Sequence, residues 1–231
     1  MIARRTAISG IAAAILFAAR EAGAEPAANQ VTDNLLKHLE KTYPVTQPET
    51  LLSVIGACAG FGCQMMVREA VRRGKIPEKQ AFVVIQTQDG GVFYFGDQLN
   101  QPLLEAPMSV WAQVAGAVQS LGKIPPDIHD IVRFVASSVG GDTFGSLRVA
   151  KDHQPSEEPI ESLRRQWPNG QAWLRETGFD PMFTGWYFGT AAQKIILSAK
   201  DSLDPVVAAQ IVMEAAVAMA KIDPKTIGVT V

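Results

Sequence analysis

The chain has 231 residues, of which 47% are hydrophobic and 19% charged, and a formal net charge of −2. This is the composition of a folded globular protein and excludes a collagen-like or disordered chain. At this length roughly 70% of the unfolded surface can be buried, so neither a disulfide nor a metal is needed to secure a core. The near-neutral balance also excludes a broad electrostatic footprint for nucleic acid. Basic residues occur only in short groups, Arg68/Arg72/Arg73/Lys75 and Arg164/Arg165, each with acidic neighbours.

Residues 1–24 read as a signal peptide. MIARR is basic, TAISGIAAAILFAA is apolar, and Ala22-Gly23-Ala24 offers small residues for cleavage before Glu25-Pro26. The mature protein, residues 25–231, is then expected in the periplasm or outside the cell. Read instead as an N-terminal extension, the same segment leaves the protein in the cytoplasm. Arg20 and Glu21 keep the apolar run below the ~18–20 residues that a bilayer span requires. No transmembrane helix is expected in the mature chain, because each later apolar run is broken by charge or glutamine.

After a short linker, Thr32 or Asp33 caps a helix, DNLLKHLEKTY, that ends at Pro44. A long helix is expected from just after Pro48 to Arg73, with Gly74 to terminate it. AFVVIQT and VFYF, joined through Asp89-Gly90-Gly91, predict a β-hairpin over about residues 81–95. Two strands are marginal alone, so the hairpin must pack on helices or extend a sheet across a partner chain. SVWAQVAGAVQSL and PPDIHDIVRFVASSV predict two further helices, the second beginning with proline in its first turn. Residues 141–159 lack periodicity and read as a functional or mobile loop. IESLRRQW and QAWLRETG predict two short helices, and MFTGWYFGTAAQKIILSAKDSL and PVVAAQIVMEAAVAMAK two long ones. The fold class is α+β, predominantly α-helical, a compact helical core carrying one hairpin in a single domain.

GACAGFGCQMM, residues 56–66, gathers glycines, cysteines and methionines and asks for an explanation. At 100° per residue, Gly56, Ala59, Gly60, Cys63, Val67, Ala70 and Gly74 fall within about 100° of each other. Gln64, Arg68 and Arg72 make an adjoining polar stripe. Interior glycine costs about 1 kcal/mol against alanine, which makes sense where another helix must come close and dispersion contacts accumulate. Small residues recur at Gly185, Gly189, Ala192 and Ala199, and at Ala112, Ala115 and Gly116. Cys58 and Cys63 lie about 140° apart on such a helix, too far for a disulfide. They read as small buried hydrophobes, with no disulfide and no metal site, and Met65 and Met66 as core filler.

No catalytic residue and no cofactor motif stands out. His38, His129 and His153 have no triad or metal spacing. Gly140-Gly141-Asp142-Thr143 follows a helix instead of opening one, so it reads as a helix terminus and not as a phosphate cradle. Phe95-Gly96-Asp97 ends the hairpin, where Gly96 allows close backbone approach and Asp97 could act as acceptor or base. Glu214 shares a narrow stripe with Gln210 and Lys221 that suits water or a polar seam.

AGFGCQMMVREA, FYFGDQLN, APMSVWAQVAGA and VASSVGG together resemble an uncharacterised bacterial protein family of hypothetical proteins. The resemblance spans most of the chain from about residue 50. It implies one globular unit and brings no activity, since none of these stretches is a functional motif.

Two functions follow. The first is a non-catalytic protein that acts by binding another protein or itself, with pairing across a dimer axis covering the edges of the hairpin. The alternative is a small-molecule binder or enzyme with a pocket between the hairpin and the helices. Arg68 would supply a fixed positive charge there, Asp97 an acceptor or base, and Trp186 and Tyr187 an aromatic wall.

Overall fold

The structure is a computed structural model and describes residues 32–37, 47–176 and 179–230. The expected signal peptide, His38 and the rest of the first expected helix lie outside the described residues, although residues 32–37 are helical. The architecture is predominantly helical α+β with one two-stranded antiparallel sheet.

Helix α1 (Pro48–Arg72) runs through the middle of the core. Proline in its first turn follows an extended Gln47, and beyond the C-cap Arg73 the chain turns at Gly74 with φ +68°. Its most apolar window has a mean hydropathy of 1.6, so α1 is long and apolar enough to cross a membrane by length and composition alone. Of that window 94% is buried inside the fold, as in the core helix of a folded protein.

The short helix α2 (Glu78–Ala81) leads into the hairpin, β1 (Val83–Gln86) and β2 (Val92–Phe95), paired Val83 to Phe95 through Gln86 to Val92. At the turn the Thr87 amide donates to the Gly91 carbonyl and the Gly90 amide to the Thr87 carbonyl. Gly90 has φ +88°, the left-handed conformation such a loop requires. The outer edge of β2 is covered: Phe93 bridges to Ile222, and the Tyr94 amide donates to the Lys221 carbonyl at 2.8 Å. The outer edge of β1 pairs with no described strand.

A short helix, α3 (Asp97–Asn100), and a π-helical turn (Gln101–Glu105) follow, elements without a clear sequence signal. Helix α4 (Val110–Ser120) is capped by Ser109, whose hydroxyl accepts from the Ala112 amide at 3.1 Å. Helix α5 (Ile128–Ser138) is capped by Asp127, so the two prolines precede the helix and do not open it. Helix α6 (Pro159–Glu176) continues through Pro168, where two helices are expected from sequence. Trp167 beside the proline is buried, its ring edge-on to Phe61 at 4.7 Å, and this packing outweighs the local propensity to break. Helices α7 (Thr184–Ser198) and α8 (Pro205–Met219) complete the core, and both pack along α1.

The glycines of α1 explain how closely. A Cβ on Gly56 would lie 2.5 Å from the Val212 carbonyl oxygen, and on Gly60 1.9 Å from that of Ala216. Both distances are to the backbone of α8. Gly62 faces α7 instead, where an added Cβ would lie 3.1 Å from the Gly185 nitrogen, and a Cβ on Gly185 would be 2.5 Å from Cys63 Sγ. Thus α1 makes two close approaches on different sides. Gly116 does not join this pattern, since a Cβ there would meet nothing within 4 Å. Cys58 and Cys63 are free and buried. Burial pushes the Cys58 thiol up to about 12 and that of Cys63 up as well, which keeps both protonated and weakly reactive. Met66 does more than fill space: its Sδ accepts the Gly185 amide at 3.2 Å, one of the donors left unpaired at the start of α7.

Candidate functional site

Met65, Arg68, Glu69 and Arg72 lie on one face of α1 at helical spacing, and they form one wall of a cavity of about 430 Å³. Trp167 and Gln171 of α6, residues Phe179, Asp180, Pro181 and Thr184, and the tail at Val229 and Thr230 complete it. The walls are mainly apolar, and the charges concentrate on α1 and Asp180.

Most of those charges are already paired. Arg72 donates to both Glu69 oxygens at 2.6 Å, and Arg73 donates to Glu69 at 2.7 Å. Hydrogen bonds from Arg72, and secondarily from Arg73, hold the Glu69 carboxyl down at about 2. Arg73 also forks onto Asp180 at 2.6 and 3.0 Å. Arg68 differs. Its Nε donates to Gln64 Oε1 at 3.2 Å, and no carboxylate among the described residues pairs with it. Its guanidinium lies 4.5 Å from the Tyr94 ring centre and 4.9 Å from that of Phe82. Two ring faces at these distances stabilise the cation and fix it without neutralising it.

Gln64 links this cation to the core. Its Nε2 donates to the carbonyls of Ala220 and Ile222, at 3.0 and 2.9 Å, just past the end of α8. The hairpin is therefore tied to α1 and α8 through rings, guanidinium and amide in series. Lys221 sits in the same junction, 4% exposed, its Nζ 4.4 Å from the Phe95 ring centre. Burial lowers its pKa from 10.5 to about 8.

A pH dependence follows from Lys221. Its folded pKa lies below the unfolded value, so the ammonium's desolvation cost is complete below pH 8 and fades as pH rises from about 8 to 10.5. Lys221→Met will be more stable than the parent at pH 7 by on the order of 1–2 kcal/mol, with the lost ring contact offsetting part of the gain. The gap in urea midpoints will narrow toward pH 10, and ionisation of the buried thiols, common to both proteins, cancels in the comparison. A gap that stays constant over that range refutes this account of the lysine.

The four candidate ligand residues do not converge. Arg68 lines the cavity, which Asp97, Trp186 and Tyr187 do not. Asp97 is exposed in the first turn of α3, after Gly96 at φ +126°. Trp186 and Tyr187 meet with ring centres 5.5 Å apart and planes tilted by 35°, and Tyr187 meets Phe179 of the cavity wall at 5.1 Å. Burial, with a smaller contribution from Asp180, pushes the Tyr187 hydroxyl up to about 12. The cavity lies between α1, α6, the segment 179–184 and the tail, and among the described residues it reaches the hairpin only through Arg68.

Residues 141–159 are held by named contacts. Arg148 donates its backbone N–H to Glu214 Oε2 at 2.6 Å, its Nε to Glu214 Oε1 at 2.7 Å and its Nη1 to Asp130 at 2.8 Å. Its guanidinium also covers the Phe134 ring at 4.1 Å. Glu214 is fully buried, so its stripe faces a polar seam and not water. His153 Nδ1 lies 3.0 Å from Glu49 Oε1, and this hydrogen bond raises the imidazole pKa. The Ser156 amide donates to Thr50 Oγ1 at 3.0 Å. Arg148 has no counterpart in the sequence reading, and an isolated cation in a polar stretch is a faint signal. Among the described residues no cluster of three or more His, Cys, Asp or Glu could hold a metal ion.

No family model matches the chain, and no curated protein or solved structure matches it either.

Proposed function

We propose that this protein acts by association, with β1 as the contact and a second copy of the chain as the partner. One observation carries the reading: Val83, Val84 and Ile85 are 60%, 58% and 42% exposed on a strand whose outer edge is unpaired among the described residues. Edge strands that stay single are commonly blunted by lysine, proline or a bulge. The stretch Phe82–Gln86 has none of these and no charge of either sign.

The register supports a twofold arrangement. The Thr87 amide bonds inward to the Gly91 carbonyl, so by alternation Ile85 and Val83 bond inward to β2 while Val84 and Gln86 present their amides and carbonyls outward. In an antiparallel pair centred on Ile85, Val84 faces Gln86 of the partner subunit, and both are outward-facing residues. Two such exchanges form, one on each side of the axis, and a four-stranded sheet results. The arrangement is isologous, as closed dimers require.

Val84→Pro tests it selectively. Proline removes an outward N–H that β2 does not use, and edge strands tolerate this. Light scattering over a concentration series should give a dimer mass for the parent and a monomer mass for Val84→Pro, with equal thermal midpoints at low concentration. A parent protein that remains monomeric at high micromolar concentration sinks the proposal, as does a variant that dimerises like the parent.

A further inference from the structure

The cavity at Arg68 is independent of the β1 edge and has the features of a ligand site. Its volume of about 430 Å³ falls in the range of small-molecule pockets, roughly 300–1,000 Å³. Met65, Trp167, Phe179, Pro181 and Val229 make its apolar walls. Two donors on wall residues have no acceptor among the described residues: Nη2 of Arg68 and the indole Nε1 of Trp167, a residue only 2% exposed. Buried donors without acceptors are rare because each forfeits its hydration.

The charge distribution narrows the ligand class. The carboxylates of Glu69 and Asp180 are occupied by Arg72 and Arg73, and those arginines are occupied in return. Arg68 alone brings a positive charge that no described carboxylate offsets, and two aromatic rings hold it in place. One free cation beside two bound carboxylates suits a single negative charge. A dianionic phosphate would meet Glu69 and Asp180 with too little compensation. We infer that the cavity binds a small monocarboxylic acid with an apolar body, its carboxylate on the Arg68 guanidinium and its hydrocarbon against Trp167 and Phe179.

Matched probes test this on the full chain. By calorimetry and thermal shift, 4-phenylbutyrate should bind and raise the melting temperature, while 4-phenylbutanol, of similar shape but neutral, should bind at least roughly 10-fold more weakly. Arg68→Met should lose most of the preference for the acid, and Arg68→Lys should retain part of it. Arg68 also contacts the hairpin rings, so a second variant guards against a folding defect. Val229→Glu, on the half-buried tail, adds a negative charge at the wall and should weaken the acid while leaving the melting temperature of the free protein within a few degrees. Inorganic phosphate should not compete. The inference is overturned if the alcohol binds as well as the acid, if Arg68→Met binds the acid unchanged, if phosphate displaces it, or if neither probe binds. Val84→Pro should bind the acid like the parent, which separates this site from the association surface.

Discussion

Gly60→Ala will cost the protein more than about 4 kcal/mol of stability, or prevent it from folding. The added methyl group would lie 1.9 Å from the Ala216 carbonyl oxygen, 2.6 Å from its carbonyl carbon and 2.7 Å from its Cα. All three atoms belong to backbone, so no rotamer change gives relief. Helices α1 and α8 must move apart, and the dispersion contacts along their whole length weaken together. Helix propensity pulls the other way by about 1 kcal/mol and is overwhelmed. Gly116→Ala is the matched control. It is also a mid-helix glycine, with nothing within 4 Å of the new methyl group, so propensity decides and stability should rise by roughly 0.5–1 kcal/mol. Opposite signs for the same chemical change, read from urea unfolding curves, would establish close approach as the reason for glycine at position 60. A Gly60→Ala protein that melts within a few degrees of the parent would refute it.

The second large effect is expected at Arg148. Arg148→Met leaves Glu214 fully buried with only the Arg148 amide and the Gln210 side chain as donors. Removing one member of a buried pair costs about 3–5 kcal/mol, because the remaining charge loses its compensation. The partial exposure of Arg148 lets some water reach the site and places the expectation toward the lower figure. Replacing both, Arg148→Met with Glu214→Leu, should recover at least half of the loss, since no charge is then left buried. Simple additivity of the two single variants would mean that the pair is not coupled in the way the distances imply. The same variants test the loop: with the anchor gone, amides around residue 148 should exchange with solvent faster than those of α1.

What the sequence makes legible is local. Pro48 and Gly74 bracket α1, Gly90 marks the hairpin turn, and Ser109 caps α4, because each of these residues acts on its own stretch of backbone. The small face of α1 can be read from spacing alone, although its division between two partner helices cannot. Features that depend on distant neighbours escape such a reading. Pro168 looks like a break until Trp167 is seen packed on Phe61. Glu214 suits water or a polar seam equally until Arg148, 66 positions away, is found against it. The cavity behaves likewise. Arg68 and Arg72 stand out as a stripe, and the spacing of Met65, Arg68, Glu69 and Arg72 marks a shared face, but only the folded chain brings Phe179, Asp180 and Val229 opposite them.

The bond from Gln64 to the carbonyl of Ala220 spans 156 positions in the chain. Closing a loop of that size carries an entropic penalty that rises slowly with length, yet it must be met before the tightest helix pair can form. A ribosome releases the glycine-lined side of α1 long before its companion segment exists. Refolding should accordingly be slow for a helical protein, with the union of α1 and α8 as its late event.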